Sequence, residues 1–302
     1  MATIDKQLWS EVERVREQCK SADDARDAGL PTDIPEVKRI NKISYGPDEE
    51  QTLDISRPTG MDGDLPTIIN VHGGGWVYGT TEVYQFYCLA LAKAGFNVVS
   101  FNYRLPPKVQ FPGELDDLHR VMHWVCDHSS EYHLDLNNVF LVGDSAGGQM
   151  VEQYVTILAN PSFRALFTYD VPKLSVRAAA LNCSACFMKE ELAYTSKKKI
   201  AGAITAYFTP EAVEAHQRQL DTETYMTSDI VPLFLLTAND DFLRDHMYKL
   251  DGFLIAKGID HRIECFGDKD NPRSHVFHIN QRDPLATEAN EMELDFFRSH
   301  LA

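Results

Sequence analysis

The sequence predicts an α/β fold, with a mostly parallel central sheet and helices on both faces. Three observations point there. Short apolar runs alternate with segments whose apolar residues recur at helical spacing. Runs such as "VFLV" and "LFLL" are apolar throughout, as strands buried on both faces are. Residues able to do chemistry gather where these runs stop, at the carboxyl ends where open parallel sheets bind ligands.

Taken in order, "MATIDKQLWSEVERVREQCK" is charged throughout and lacks the apolar centre of a secretory signal. It reads as an amphipathic helix with Leu8, Trp9, Val12 and Val15 on one side. A polar, proline-punctuated stretch runs to about Pro35. "RINKISYG" and "QTLDISRP" follow as two strands joined by the turn "PDEE". Alternation then begins: strand "PTIINVHG", helix "VYQFYCLALAKAG", strand "FNVVSFNY", helix around "ELDDLHRVMHWVCDH", strand "NNVFLVG". A helix after Ser145 carries Met150, Val151, Tyr154, Val155 and Leu158. "VRAAALN" and "VPLFLLTAN" are strands, "FLRDHMYKLDGFLIAKG" is a helix, "HRIECFG" is the last strand and "PLATEANEMELDFFRSHL" a closing helix. Residues from about Cys186 to Ser228 are too many for a plain connection. They read as a helical insertion over one sheet edge, in which Thr209 is an N-cap and Pro210 the first helical position. The expected organisation is one domain over 1–302, with 1–35 and about 187–228 as helical cap elements.

Composition narrows the function. The 302 residues are 44% hydrophobic, enough for a sizeable core. A net charge of −16 argues against a nucleic-acid partner, whose phosphates need a basic footprint, and favours neutral substrates over polyanions. No apolar stretch reaches the length of about 18 residues that a membrane span needs. Six cysteines, at 19, 88, 126, 183, 186 and 265, are scattered, and several fall in expected core segments, Cys265 among them. Scattered thiols without a signal peptide point to the cytoplasm. The CxxC in "NCSACF" has no second ligand pair and reads as structural. Oligomeric state stays open, with a homodimer among the options.

"VFLVGDSAGGQM" puts Ser145 at a strand-to-helix corner with Gly143 and Gly147 two places either side. Such a corner strains the serine backbone, and only small neighbours let the two elements approach that closely. The other strands end in "VHGGGW", in "LTANDDFLRD" and before "DKDNPRSHVFHI". Glycines with free N–H groups, a serine, an acid and a histidine are what acyl transfer requires. The chain order Ser145, Asp241, His275 is nucleophile, acid, base, as in α/β-hydrolases, and "HGGG" after a strand is the matching oxyanion loop.

On these residues the chain resembles the hormone-sensitive-lipase-like (bacterial family IV) carboxylesterases. "HGGGW" and "GDSAGG" match the family's two signatures, "FNYRLPPKVQFPGELDD" is similar to its "YRLAPE…FPAALDD", "LDISRP" to "LDIYRP" and "DDFLRD" to "DPLRD". The similarity covers roughly residues 50 to 300. It implies an α/β-hydrolase fold, no cofactor, Ser145 as nucleophile, Asp241 as acid and His275 as base. Gly74, Gly75 and Ala146 would supply the oxyanion N–H groups, and His72 would brace the glycine loop. Asp240 and His278 are the rival acid and base, while Asp245 falls a turn into a helix. Departures are Pro106 and Pro107 in "YRLPP", "DFL" for "DPL", "HVF" for "HGF", and "CSACF" where the family often has "SPW".

His119, His123, His128 and His133 are spaced by 4 or 5, but the sequence shows no matching acid or cysteine set, so they read as surface residues. Asp116 and Asp117 read as helix-start charges. Trp76, Tyr78 and Phe208 are candidate pocket aromatics. The expected activity is hydrolysis of small neutral esters, short-acyl or aryl, through an acyl-enzyme. A non-catalytic ligand-binding homologue and an amide or peptide hydrolase with the same triad are the alternatives.

Overall fold

A computed structural model describes residues 6–198 and 202–302. Residues 1–5 of the expected first helix and 199–201 of the expected insertion lie outside the described residues. The strands are β1 (Val37–Ser44), β2 (Thr52–Pro58), β3 (Leu65–Val71), β4 (Asn97–Phe101), β5 (Leu134–Asp144), β6 (Val176–Asn182), β7 (Leu233–Ala238) and β8 (His261–Phe266). They form one sheet in the order β1-β2-β4-β3-β5-β6-β7-β8. β1 and β2 pair antiparallel, β2 joins β4 antiparallel, and every pairing from β4 to β8 is parallel.

Strand side chains alternate between two cores. Ile69, Val71, Val139 and Leu141 face one, packed by α3 (Gly113–Tyr132), α4 (Ala146–Ala159) and α9 (Arg244–Lys257). Ile68, Phe140 and Val142 face the other, packed by α2 (Gln85–Lys93) and α10 (Pro284–Ser299). This double burial is why the central strands read as unbroken apolar runs. The chain crosses from β3 outward to β4, then back over β3 to β5, so strand order reverses between β3 and β5. A reversal of this kind opens a crevice at the carboxyl ends of the two strands.

α1 (Lys6–Asp27) lies outside this sandwich. Its Val12 is fully buried in a small cluster with Val77, Ala203 and Ala206, flanked by Leu8, Trp9 and Val15. The stripe expected from spacing is therefore the face that docks. Arg16 fastens the helix by donating from Nε to the Val77 carbonyl at 2.7 Å and from Nη2 to the Pro106 carbonyl at 2.8 Å. At the other end, Arg282 donates to the carbonyls of Arg26 and Ala28.

Four further α-helices are found among the described residues: α5 (Pro161–Arg164), α6 (Met188–Lys198), α7 (Pro210–Ala215) and α8 (Thr222–Tyr225). The last three sit between β6 and β7, where an insertion was expected. The Thr209 hydroxyl accepts from the Ala212 N–H and Pro210 opens α7, as the sequence indicates. No described helix is long and apolar enough to cross a membrane.

One expectation needs correction. Cys265 is exposed rather than in the core, because β8 is an edge strand with one open face. Asp117 stands near the start of α3, as the sequence indicates, and is fully buried, accepting from Arg104 Nη2 at 2.7 Å and Gln51 Nε2 at 2.6 Å.

Candidate active site

The crevice between β3 and β5 holds both glycine signatures. β5 ends at Asp144, α4 starts at Ala146, and Ser145 between them has φ +51° and ψ −114°. That backbone is strained for a residue with a Cβ. The surroundings enforce it: Ser145 N–H donates to Asn182 O at 2.9 Å, and its carbonyl accepts from Gln149 N–H at 3.2 Å and Ala185 N–H at 3.1 Å. The flanking glycines are sterically required. A Cβ on Gly143 would lie 2.4 Å from Gly147 O, and one on Gly147 would lie 2.0 Å from Val71 O.

His275 stands on the loop after β8, and Asp241 on the turn after β7. His275 Nε2 is 3.0 Å from Ser145 Oγ, and its Nδ1 is 2.7 Å from Asp241 Oδ1. Asp241 is itself held, accepting from Leu243 N–H at 2.9 Å and Thr237 Oγ1 at 3.2 Å. Burial pushes its carboxyl up, but the hydrogen bond and charge of His275 and the Leu243 amide outweigh that and hold it below the ordinary value. With Asp241 ionised, His275 donates its Nδ1 proton there and leaves the Nε2 lone pair for the serine hydroxyl.

The rivals fall elsewhere. Asp240 is exposed and its backbone pairs with the Ser274 region. Asp245 is exposed in the first turn of α9 beside Arg244. His278 is buried edge-on against Tyr87, and burial pushes its pKa down to about 3.

The loop after β3 lies across from Ser145. Gly74 (φ +121°) and Gly75 (φ +60°) adopt backbone that favours glycine. Among the described residues no hydrogen bond is made by either N–H, and Ala146 N–H is a helix-start donor. His72 is fully buried, stacks on Tyr103 at 4.0 Å, and sets Nδ1 2.8 Å from Gly73 O. Burial lowers its pKa to about 4, so it is a neutral brace.

A cavity of about 340 Å³ opens above Ser145, bordered by His275, Gly74, Gly75 and Tyr78. Val15, Cys19, Ala22 and Asp23 of α1 form its roof, and Phe242 and Val276 close one side. The Phe242 ring lies 4.1 Å from that of His275. Of the three candidate pocket aromatics only Tyr78 borders this cavity; Trp76 and Phe208 pack on each other, 4.9 Å between centroids, in the core.

Sequence reasoning missed three things. Asp144 receives Tyr84 Oη at 2.8 Å and Gly73 N–H at 3.1 Å, tying the serine corner to the glycine loop. Burial raises its pKa to about 6. The signal available was an acid placed directly before the serine at the end of an apolar strand. For α1, expected as a cap element, the sequence did not show which residues line the cavity, because an amphipathic pattern does not name its partner. The histidine row was also misread. His128 stacks on Trp124 and His133 ends α3, but His119 and His123 do meet an acid, Asp170. The paired cysteines are both free and buried, and burial holds the Cys183 and Cys186 thiols well above their ordinary pKa.

An eight-stranded, mostly parallel sheet with a strained serine at the β5–α4 corner defines the class. The chain belongs to the alpha/beta hydrolase fold family, whose model matches residues 68–278, and falls in the hormone-sensitive-lipase-like group that its glycine signatures resemble. Among particular relatives, a putative alpha/beta hydrolase of Acanthamoeba polyphaga mimivirus is 27% identical over 208 residues, 66% of this chain and 58% of that one. An ethyl acetate hydrolase of Pseudomonas putida is 27% identical over 216 residues, 68% of this chain and 66% of that one. The chain thus spans less than two thirds of the length of either relative. Esterase B from Lactobacillus rhamnosis, in a tributyrin phosphonate structure, superposes with a TM-score of 0.86 at 24% identity, over 98% of this chain and 96% of that one.

Proposed function

We propose that this protein is a serine carboxylesterase that hydrolyses small neutral esters. The observation that carries the reading is the unbroken contact line Ser145 Oγ, His275 Nε2, His275 Nδ1, Asp241 Oδ1, at 3.0 and 2.7 Å. In this reading Ser145 Oγ attacks the ester carbonyl while His275 Nε2 takes its proton. Negative charge moves to the carbonyl oxygen, where the N–H groups of Gly74, Gly75 and Ala146 receive it; each such donor is worth about 3 kcal/mol of barrier. The intermediate collapses, the alcohol leaves with the His275 proton, and an acyl-Ser145 ester remains. Water, deprotonated by His275, then releases the acid and restores the serine. Asp241 keeps the imidazole oriented and offsets its charge throughout. No cofactor enters the chemistry.

Substrate size follows from the cavity. About 340 Å³ accommodates a small ligand, near the lower end of ligand pockets. The apolar side chains of Val15, Ala22, Phe242 and Val276 along it, the acidic Asp23 in its roof and the net charge of −16 favour uncharged esters with short acyl or compact aryl groups. The name of the Pseudomonas putida relative agrees with that size class. We further infer that α1 and the segment carrying α6 to α8 act as the cap of a single domain.

The test is Ser145→Ala against an activated acetyl ester, together with a serine-reactive phosphonate. Turnover should vanish in the variant, and the wild type should carry one label, on Ser145. Retained turnover, or a label elsewhere, overturns the assignment. A panel spanning ester, amide and acyl length ranks the substrate classes.

A further inference from the structure

We propose that His119, His123 and Asp170 form a binding site for a first-row divalent transition metal of the zinc class. Such an ion would clip α3 to the loop that leads into β6. This inference is independent of the esterase reading.

His119 and His123 are one turn apart on α3, so their side chains share a face. Their rings meet at 4.7 Å and 82°. Asp170 arrives from the loop after α5 and sets one oxygen, Oδ1, between them: 3.2 Å from His119 Nε2 and 3.1 Å from His123 Nε2. The three ligand atoms all lie within 4.8 Å of one another. In a tetrahedral site with metal–ligand bonds of about 2.0–2.1 Å, neighbouring ligand atoms stand about 3.3–3.4 Å apart. Two of the three edges are already close to that length.

Hydrogen bonding accounts for only one of the two contacts, in which Asp170 Oδ1 accepts from His119 Nε2 at 3.2 Å. His123 Nε2 is shielded from solvent and makes no hydrogen bond, although the carboxylate oxygen is in reach. His119 carries the outer support that metal-bound imidazoles use. Its Nδ1 lies 2.9 Å from Tyr154 Oη, and Tyr169 stacks flat on its ring at 4.1 Å and 7°. A metal ion would take the place of the Nε2 proton now facing Asp170, and the tautomer with Nδ1–H donated to Tyr154 Oη would then turn the Nε2 lone pair to the shared centre. Two imidazoles and one carboxylate suit zinc and its neighbours better than magnesium or calcium. The Asp170 side chain is 75% exposed, so water can complete a fourth position and the ion can enter from solvent.

The experiment uses the full chain, stripped with a chelator and titrated with Zn²⁺ by calorimetry. Wild type should bind one equivalent, and its thermal midpoint should rise with the metal. Altering even a supporting partner of a ligand costs about 10–100-fold in affinity. Tyr154→Phe should therefore weaken binding about 10-fold, and His123→Ala and Asp170→Ala each by at least about 100-fold. His128→Ala and His133→Ala should bind as wild type does. Unchanged turnover of an activated ester reports that each variant is folded. Wild-type Co²⁺ protein should show the intense visible bands of a four-coordinate centre, a readout that needs no variant. Absence of stoichiometric binding, a six-coordinate Co²⁺ spectrum, or equal affinity in His123→Ala and Asp170→Ala would each overturn the proposal.

Discussion

Gly147→Ala tests the strand-to-helix corner most directly. The added Cβ would sit 2.0 Å from Val71 O and 2.6 Å from His72 O, both main-chain atoms. Contacts below about 3 Å do not persist, so β3 and the start of α4 must separate by about 1 Å. Ordinary overpacking costs about 1–3 kcal/mol, and a backbone clash belongs at the upper end. For a chain of this size that lowers the thermal midpoint by about 5 °C. The same shift moves Ser145, two residues away, relative to His275 and the glycine loop. A misplacement of about 1 Å at a reacting group costs about 100-fold in rate. Gly252→Ala is the matched control: it lies within α9 and its Cβ would meet nothing within 4 Å. That change should stabilise by about 0.5–1 kcal/mol and leave turnover alone. Calorimetry and kcat/KM on an activated acetyl ester decide the matter. If Gly147→Ala matches wild type within twofold in rate and about 1 °C in midpoint, the close approach argued above is wrong.

Two further perturbations separate the neighbouring histidines and probe the buried acids. His275→Gln should lower kcat by at least about 1,000-fold, whereas His278→Gln should stay within a few-fold, since His278 faces Tyr87 and not Ser145; the reverse order in a steady-state assay would reassign the base. Glu293, fully buried between Tyr87 Oη at 2.6 Å and Asn182 Nδ2 at 2.7 Å, has its pKa raised by burial from 4.5 to about 7. Between those values the native state holds a proton that the unfolded chain releases, so stability falls as pH rises through the window. The loss is on the order of 3 kcal/mol, complete above about pH 7. Glu293→Gln should flatten the pH dependence of urea unfolding between pH 4.5 and 7.5, and an unchanged slope would refute the buried-charge account.

Much of the architecture was legible because burial leaves a direct mark on composition. β3, β5, β6 and β7 are covered on both faces and read as apolar runs, and the Gly143–Ser145–Gly147 spacing marks a corner that few residues tolerate. β8 misled at Cys265 because an edge strand keeps the residue types of a central one while exposing a face. Asp240 and Asp241 could not be separated by type; the turn after β7 sends one outward and buries the other against His275. Contacts between distant segments left no local signal. Asp170 lies 47 positions beyond His123 and only the loop after α5 brings it back to α3. The Asp144–Tyr84–Gly73 tie depends in the same way on three elements meeting.

The roof supplied by α1 has a consequence for the order in which the molecule is assembled. The segment from α1 to Ala28 is made before the residues that anchor it, which include Val77, Ala203, Ala206 and Arg282. A nascent polypeptide can therefore form the serine corner well before it owns a closed binding chamber. In the proposed esterase, selectivity would then report on whether Arg282 has docked on the segment that follows α1.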